Sequence, residues 1–315
     1  MPIGSTTTSK KVTEIAKKLG MAIDNGKENG KPKSFADYFP PETQVKPPER
    51  MADFLTNMKI EIASETKLGK THFGCTFPNP VFIDFDITGG TEKAIKWYLK
   101  QEKMEGRPVK NIRRKQAYVP MEDPENPNRV KIDAIASLEL LEELSALKYP
   151  SDVKTIVIEN ASAIWTAVQE WLYHPLGYQQ EMADPKWGKR KLRYNKAKEP
   201  MQYNWGFANR KITDIFYNFL IKDCHVIVTH TMTEVYNDQG KRTGRLKPSQ
   251  FKKSPHWYDF SMVIEKDADG KAVATIKTRY QVRRDVGYRT MQIEDVTYDK
   301  LVERCTNLME GKEEV

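Results

Sequence analysis

The residues with the clearest chemistry lie in one short segment, residues 64–71 (SETKLGKT). The segment follows the pattern GxxxxGK[ST], except that a serine stands in place of the first glycine. In such a segment Gly69 lets the backbone approach an anion, Lys70 neutralises the β- and γ-phosphates, and the Thr71 hydroxyl can bind Mg²⁺. We therefore predict a site for ATP and Mg²⁺ formed by Ser64, Glu65, Thr66, Lys67, Leu68, Gly69, Lys70, Thr71 and His72. The alternative is an ordinary strand–helix turn that contains Gly-Lys-Thr by coincidence.

Acidic residues end two apolar segments further along the chain, at 82–86 (FIDFD) and 156–160 (IVIEN). The carboxyl ends of parallel strands meet at one edge of a sheet, so carboxylates there can hold Mg²⁺ and orient an attacking water molecule. We predict that Asp86 and Glu159 share these tasks, and that Thr71 is a further ligand of the metal ion.

The segments around these residues alternate between strand and helix patterns. Strands are expected at 58–63, 81–87, 155–158, 225–229, 260–265 and 273–277. Helices are expected from Lys70, from a cap at Thr91, from a cap at Ser137 and over 209–222. Several strands are continuous apolar runs, as in sheets that are covered on both faces. The pattern predicts an α/β fold with a largely parallel central β-sheet flanked by helices.

The composition divides the chain into an arm, a core and a tail. Residues 1–50 are rich in glycine, lysine and proline and predict an extended, flexible N-terminal arm, which either stays mobile or docks on a neighbour. We expect the core at 51–290, followed by a C-terminal helix and acidic tail at 291–315. Within the core we expect an irregular basic insertion at about 104–131 and two long loops at about 173–206 and 233–257.

Composition also narrows the class of protein. The 315 residues carry a formal net charge of +8, which favours a polyanionic partner because each lysine or arginine at a phosphate releases counterions. Cys75, Cys224 and Cys305 are far apart and predict neither a zinc site nor a disulfide. The sequence has no apolar stretch of about 18 residues and no apolar N-terminal segment, so we expect a cytoplasmic protein without a membrane partner.

Five short segments resemble, in order and spacing, the phage family of RecA-like, AAA-type nucleotide-binding proteins. They are 205–206 (WG), 211–216 (KITDIF), 226–230 (VIVTH), 238–244 (DQGKRTG) and 258–260 (YDF). The resemblance covers about 58–279 and implies a RecA-like P-loop core in an ATPase of a phage or similar mobile element. Several members of that family are regarded as single-strand annealing or recombination ATPases.

The resemblance also implies roles for single residues. Asp86 would activate water, where the family usually has glutamate, and Glu159 would end the Walker B strand, where the family has aspartate. His230 would sense the γ-phosphate; the alternative is a histidine held by loop backbone. Lys277 and Arg279 would reach the nucleotide of the next subunit, unless they form a basic strand end in solvent. The implied assembly is a homo-oligomer, a ring or a filament, with ATP at subunit interfaces.

RecA-like proteins hold DNA with two loops that correspond here to 173–206 and 233–257. Both loops are rich in basic and aromatic residues, which track phosphates and stack on the bases of single strands. A third basic cluster lies at 107–115. The expected contacts with single-stranded DNA are Lys189, Arg190, Arg193, Tyr194, Lys241, Arg242, Arg245, Lys252 and Lys253. The alternative is a set of solvated loops whose aromatic residues pack locally.

Three functions stay open at this point. The first is a DNA-binding ATPase that acts on single-stranded DNA in annealing, recombination or replication. The second is a ring helicase or translocase on the same core. The third is a nucleotide-gated scaffold or loader with feeble hydrolysis, which the unusual residues Ser64, Asp86 and Glu159 would favour.

Overall fold

A computed structural model describes residues 55–123, 126–173, 205–237, 239, 241–249, 257–281, 288–310 and 312. The strands are β1 (Lys59–Ser64), β2 (Pro80–Asp84), β3 (Arg113–Gln116), β4 (Val119–Asp123), β5 (Asn126–Asp133), β6 (Thr155–Glu159), β7 (His225–Tyr236), β8 (Arg242–Pro248), β9 (Phe260–Lys266), β10 (Ala272–Gln281) and β11 (Tyr288–Glu294). The helices are α1 (Lys70–Thr76), α2 (Gly90–Met104), α3 (Ala134–Ala146), α4 (Ala161–Tyr173), α5 (Trp205–Leu220) and α6 (Tyr298–Met309). The predicted alternation of strands and helices is confirmed.

A nine-stranded sheet organises the described residues. Its order is β11-β10-β9-β1-β7-β6-β2-β3, and β8 pairs with the outer part of β7. The six neighbouring strands from β9 to β3 are parallel, so their carboxyl ends meet at one edge. Strand β7 therefore separates β1, which leads into the phosphate-binding segment, from β6, which ends in the acidic pattern. Antiparallel strands β10 and β11 extend the sheet beyond β9, while β4 and β5 form a separate hairpin.

The central strands are buried on both faces, as their apolar sequences predict. In β6, Ile156 and Ile158 belong to the apolar cluster that contains residues of α3, α4 and α5. Val157, between them, belongs to the cluster on the other face, with residues of α1, α2 and α6. Since side chains alternate along a strand, both clusters hold β6 in place and thereby fix the position of the residue at its carboxyl end.

Two helices begin at residues other than those predicted. Asp133, not Ser137, caps α3: its carboxylate accepts a backbone N–H of the first turn, and Ser137 is buried inside the helix. Helix α2 begins after Gly89, and Thr91 lies within its first turn, where the hydroxyl donates to Asp84 instead of capping. In α3 a carboxylate thus takes the capping hydrogen bond that the sequence assigned to a hydroxyl, whereas the N-cap of α2 is a glycine with no side-chain cap.

The predicted basic insertion at 104–131 is not irregular, because it contains β3, β4 and most of β5. Strand β3 consists of charged and polar residues at the edge of the sheet, so its sequence lacks the alternation of apolar residues that predicts a strand. Strand β7 continues to Tyr236, so part of the loop expected at 233–257 is a hairpin with β8. Strand β11 runs across the core boundary predicted at 290. The arm at 1–50 and most of the loop at 173–206 lie outside the described residues.

Candidate functional site

The predicted phosphate-binding segment joins the carboxyl end of β1 to α1. Its turn requires two residues with positive φ, Lys67 at 68° and Gly69 at 93°. Helix α1 starts directly after Gly69, and no side chain among the described residues caps it. Backbone N–H groups at such a start carry partial positive charge and are not used within the helix, so they can bind an anion. The segment therefore has the local geometry of a phosphate loop, although its first position is Ser64.

Lys70 lies over this loop and is nearly buried. Its ammonium donates to the carbonyl of Ser64 at 3.0 Å, to the Ser64 hydroxyl at 2.9 Å and to the carbonyl of Glu65 at 3.0 Å. Burial lowers the pKa of Lys70, and the charge of Glu159 opposes that shift. The serine thus gives the lysine a hydroxyl partner that a glycine would not provide. The neighbouring Thr71 is half-buried on the first turn of α1.

Glu159, at the end of β6, is a buried carboxylate without full hydrogen bonding. Burial raises its pKa to about 7, Lys70 and the Thr229 hydroxyl lower it, and the charges of Asp84 and Asp86 raise it. Its Oε2 atom has no hydrogen-bond partner among the described residues. An unpartnered buried oxygen beside a phosphate loop and a threonine hydroxyl is a donor set that suits Mg²⁺. Glu159 and Thr71 therefore fit the predicted metal role, while the described residues contain no larger cluster of metal-binding side chains.

Asp84, the last residue of β2, is a structural partner that the sequence did not single out. It is fully buried and accepts the Thr91 hydroxyl at 2.8 Å and the Asp86 backbone N–H at 3.0 Å. Arg114 of β3 binds the same carboxylate through two nitrogens, each at 2.6 Å. Arg114 was expected in a basic cluster for DNA, but the structure commits it to this ion pair. Asp84 stands directly opposite Glu159 in the sheet register, so the pair belongs to the phosphate edge.

Asp86, the predicted water-activating base, is half-buried just beyond β2. Its carboxylate accepts the backbone N–H and the hydroxyl of Thr88 at 3.0 and 2.8 Å, and the N–H of Gly90 at 3.2 Å. In this conformation the side chain therefore organises the loop before α2. It lies near enough to Glu159 for its charge to raise the pKa of that residue. Its role as a base stays a prediction.

His230 pairs in register with Ala63 on β1 and is buried beside the phosphate loop. Burial lowers the pKa of His230 to about 4, the backbone of Ser249 opposes the shift, and the charge of Lys70 adds to it. Neither ring nitrogen makes a hydrogen bond of normal geometry with a described residue. The imidazole is therefore neutral at pH 7 and can accept or donate a hydrogen bond to a group that enters the site.

Thr229, the residue before His230, is a site residue that the sequence reasoning missed. Its hydroxyl accepts the backbone N–H of Asn160 at 2.9 Å and hydrogen-bonds the carboxylate of Glu159. Thr229 is fully buried, so it locks the end of β7 to the end of β6. The signal available in the sequence was a hydroxyl residue inside an otherwise apolar strand, at 226–230.

His72, in the first turn of α1, packs against aromatic side chains of α2. Its ring meets Tyr98 of α2 edge-on with centroids 5.2 Å apart, and Trp97 with centroids 6.1 Å apart. Burial lowers the pKa of His72, with Glu102 opposing the shift. The structure thus groups His72 with aromatic side chains of α2, and its contact with the nucleotide stays a prediction.

Lys277 lies on β10, two strands from β1 and level with the middle of β1 in the sheet register. It pairs with Ser261 of β9, which in turn pairs with Glu61 of β1, whereas the loop begins at Ser64. Its side chain is exposed, and Arg279 follows two residues later on the same strand. Because β10 runs antiparallel to β1, the chain beyond Lys277 leads away from the edge that carries the phosphate loop, and the role of the two cations stays a prediction.

The predicted DNA contacts are only partly described. Arg242 and Arg245 lie on β8, the exposed outer strand of the hairpin, and Lys241 precedes it. Arg242 binds Glu234 of β7 through Nε at 2.8 Å, so its charge is already paired. The remaining expected contacts lie outside the described residues: Lys189, Arg190, Arg193, Tyr194, Lys252 and Lys253.

The third basic cluster, at 107–115, is largely used within the protein. Arg107 binds Glu102 at 2.9 Å, Arg113 binds Asp152 at 3.1 Å, and Lys110 donates to a backbone carbonyl at the end of α1. Sequence alone did not reveal these pairs, because the partners come from other elements. Part of the cluster's charge is thus neutralised within the fold, and its contact with DNA stays a prediction.

Fold and site together define a P-loop nucleotide-binding protein. A family model described as an AAA domain matches residues 56–295, which is most of the chain and includes every strand of the sheet, and the protein belongs to that family of nucleotide-binding ATPases. A search of curated proteins returns no match. Among the described residues no helix is both long and apolar enough to cross a membrane.

Proposed function

We propose that the protein is a Mg²⁺-ATP-dependent enzyme with a RecA-like core that acts on single-stranded DNA in a phage or similar mobile element. Annealing, recombination or replication would be its setting. The observation that carries the proposal is the continuity of β7. This strand passes between β1 and β6, bears Thr229 and His230 at the phosphate edge, and leaves the sheet as one side of a basic hairpin. A single strand thus joins the expected place of the γ-phosphate to a surface suited to a polyanion.

Under this proposal each site residue has one task in ATP binding or hydrolysis. Lys70 would turn from the loop carbonyls toward the β- and γ-phosphates, and Thr71 and Glu159 would hold Mg²⁺, which would neutralise charge on the phosphates. Asp86 accepts the proton of the attacking water once its carboxylate is released from the loop before α2. His230, neutral and short of hydrogen bonds, donates to or accepts from the γ-phosphate region.

The hairpin provides the expected surface for DNA. Arg245 and Lys247 are two residues apart on β8, so both side chains emerge on the same face of the hairpin. Both are exposed, and within the described ranges neither makes an ion pair. They contrast with Arg242 on the other face, which Glu234 neutralises. Two free cations on an exposed strand can contact successive phosphates of a single strand without reading its sequence.

The base of the hairpin is tied to the nucleotide edge. The Ser162 hydroxyl, in the first turn of α4, donates to the carbonyl of Ser249 at 2.5 Å and accepts the N–H of Thr231 at 3.0 Å. Ser162 lies three residues after Glu159. A change at Glu159 on nucleotide binding can therefore reach both strands of the hairpin through short, hydrogen-bonded connections.

A ring helicase or translocase is a second candidate function. One observation supports it as strongly as it supports the first candidate. Lys277 is exposed, lies two strands from β1 and is set back from the edge that carries its own phosphate loop, so we propose that it serves the nucleotide of another subunit. A ring and a filament both satisfy that geometry. Strand displacement on a forked duplex would favour the motor, whereas annealing of complementary strands without displacement would favour the first candidate.

The deciding test compares phosphate release with Mg²⁺-ATP in the presence and absence of single-stranded DNA. We expect DNA to stimulate the native protein, and the double variant Arg245→Glu/Lys247→Glu to lose that stimulation while its DNA-free rate stays the same. The matched control is Lys148→Glu/Lys154→Glu, an equal charge change at exposed lysines near the opposite end of β6. Normal ATP binding with feeble turnover and no response to DNA would support the nucleotide-gated scaffold instead.

A further inference from the structure

We propose that Trp97 and His72 form a platform on which the base of a bound purine nucleotide stacks. The inference rests on the proposed ATP site and extends it, because the phosphate loop accounts for the triphosphate alone. The base must lie close to that loop, since only a ribose separates it from the phosphates. An aromatic surface beside α1 is therefore the feature to look for.

Trp97 is the aromatic residue that the fold leaves uncovered there. It lies on α2 with 55% of its surface exposed, although α2 buries the adjacent Tyr98 and, one turn earlier, Ile95. Exposed tryptophan side chains are common at binding surfaces, where a ligand or another protein covers the indole ring. Its position on the α1 side of α2 is set by its contact with His72, at a centroid distance of 6.1 Å and an interplanar angle of 61°.

His72 connects this ring to the phosphate loop. It follows Thr71 directly and lies two residues after Lys70, so it belongs to the first turn of the helix that would receive the phosphates. Tyr98 packs edge-on against the imidazole, at an interplanar angle of 77°. The exposed indole and the half-buried imidazole thus lie together beside the first turn of α1.

The chemistry of the two rings suits a base more than a charged group. The imidazole of His72 is half-buried and already packs edge-on against the Tyr98 ring, with centroids 5.2 Å apart. The indole offers a broad face whose stacking energy grows with the size of the partner ring, which favours purines. Stacking needs no hydrogen-bonded edge, so the platform adds affinity for the base and leaves its identity largely unread.

The test separates the base from the phosphates by comparing ATP with inorganic tripolyphosphate as ligands, by calorimetry in the presence of Mg²⁺. Trp97→Ala is expected to weaken ATP binding about 5-fold or more, the lower end for loss of one base–aromatic stack, and to leave tripolyphosphate binding unchanged. Trp97→Phe retains a ring and should recover most of the affinity for ATP. Tyr217→Ala, at a tyrosine of α5 that is 62% exposed, is the matched control and should bind both ligands normally.

Three results would overturn the platform. Equal weakening of ATP and tripolyphosphate would mean that Trp97 supports the fold of the loop. Unchanged binding of both, with a changed oligomeric state, would assign the exposed ring to contact with a second copy of the chain. Failure of the native protein to bind either ligand would remove the proposed ATP site itself, and the platform with it.

Discussion

At the scale of single residues, three carboxylates in the sheet differ in how they are neutralised. Asp84 has Arg114, and Glu159 has the nearby charge of Lys70. Glu61, in the middle of β1, accepts the Ser261 hydroxyl through one oxygen, and its other oxygen has no partner among the described residues. Burial raises the pKa of Glu61 to about 7. The least compensated acid therefore lies in the strand that carries the phosphate loop.

The stability of the protein should fall as the pH rises through 7, because Glu61 must then ionise in a buried place. Its pKa is raised on folding, so its stabilising contribution is complete below about pH 4.5 and is lost as the pH passes about 7. Glu61→Gln should remove roughly 2–3 kcal/mol of the loss between pH 5 and pH 8. Urea unfolding of the ligand-free protein at both pH values measures it.

The control for this prediction is Glu143→Gln, at an exposed position of α3. Its stability profile should follow that of the native protein, including the part of the loss that Glu159 contributes in the same direction. A Glu61→Gln profile with an unchanged slope would show that Glu61 is ionised and solvated in the folded state.

At the scale of elements, the approach of α1 to the sheet depends on Gly74. A Cβ there would meet the end of the Phe82 ring and both methyl groups of Val157, each at 3.2 Å. We expect Gly74→Ala to destabilise the protein by about 1–3 kcal/mol, as overpacking in a dense core does, and to weaken nucleotide binding by tilting the phosphate loop. Thermal unfolding with and without Mg²⁺-ATP measures both effects.

Gly206→Ala is the matched substitution for that experiment. Gly206 lies in the exposed first turn of α5, and a Cβ there meets nothing within 4 Å. Alanine is the better helix former, so the control should be neutral or stabilised by up to about 1 kcal/mol. Equal behaviour of the two variants would contradict the close packing of α1 on β2 and β6.

The sequence predicted the strands and helices whose apolar pattern matches the side chains that they bury. It missed the strand and the contacts that depend on side chains from distant parts of the chain. The phosphate loop and the strands at its edge were predictable because their apolar runs are buried on both faces. Strand β3 was not, since its residues are polar and Arg114 finds Asp84 only once β3 pairs with β2. The bond between Thr229 and Glu159 likewise exists only because β7 lies beside β6, an order that local sequence does not contain.

At the scale of the whole molecule, Lys277 lies two strands from β1 and level with Glu61, three residues before the phosphate loop begins. If Lys277 serves the neighbouring nucleotide, Lys277→Ala and Lys70→Ala should each abolish most phosphate release, and a mixture of the two variants should recover part of it. In a random mixture roughly a quarter of head-to-tail interfaces combine an intact loop with an intact Lys277. Phosphate release as a function of mixing ratio measures the recovery.

Each variant mixed with native protein serves as the reference curve for subunit exchange. A mixture of the two variants that stays as inactive as either alone, while exchange is shown by a labelled subunit, would place the function of Lys277 within its own subunit or outside the reaction.

The pairing of Arg114 with Asp84 also constrains which substitutions and deletions this protein can accept during evolution. A strand at the rim of a sheet is usually dispensable, but β3 neutralises a carboxylate that has no exposed surface. Loss of β3 would leave that charge buried and uncompensated, at a cost of about 3–5 kcal/mol. Relatives that lack β3 should therefore also lack an acid at position 84, so that the segment and the acid are inherited or lost together.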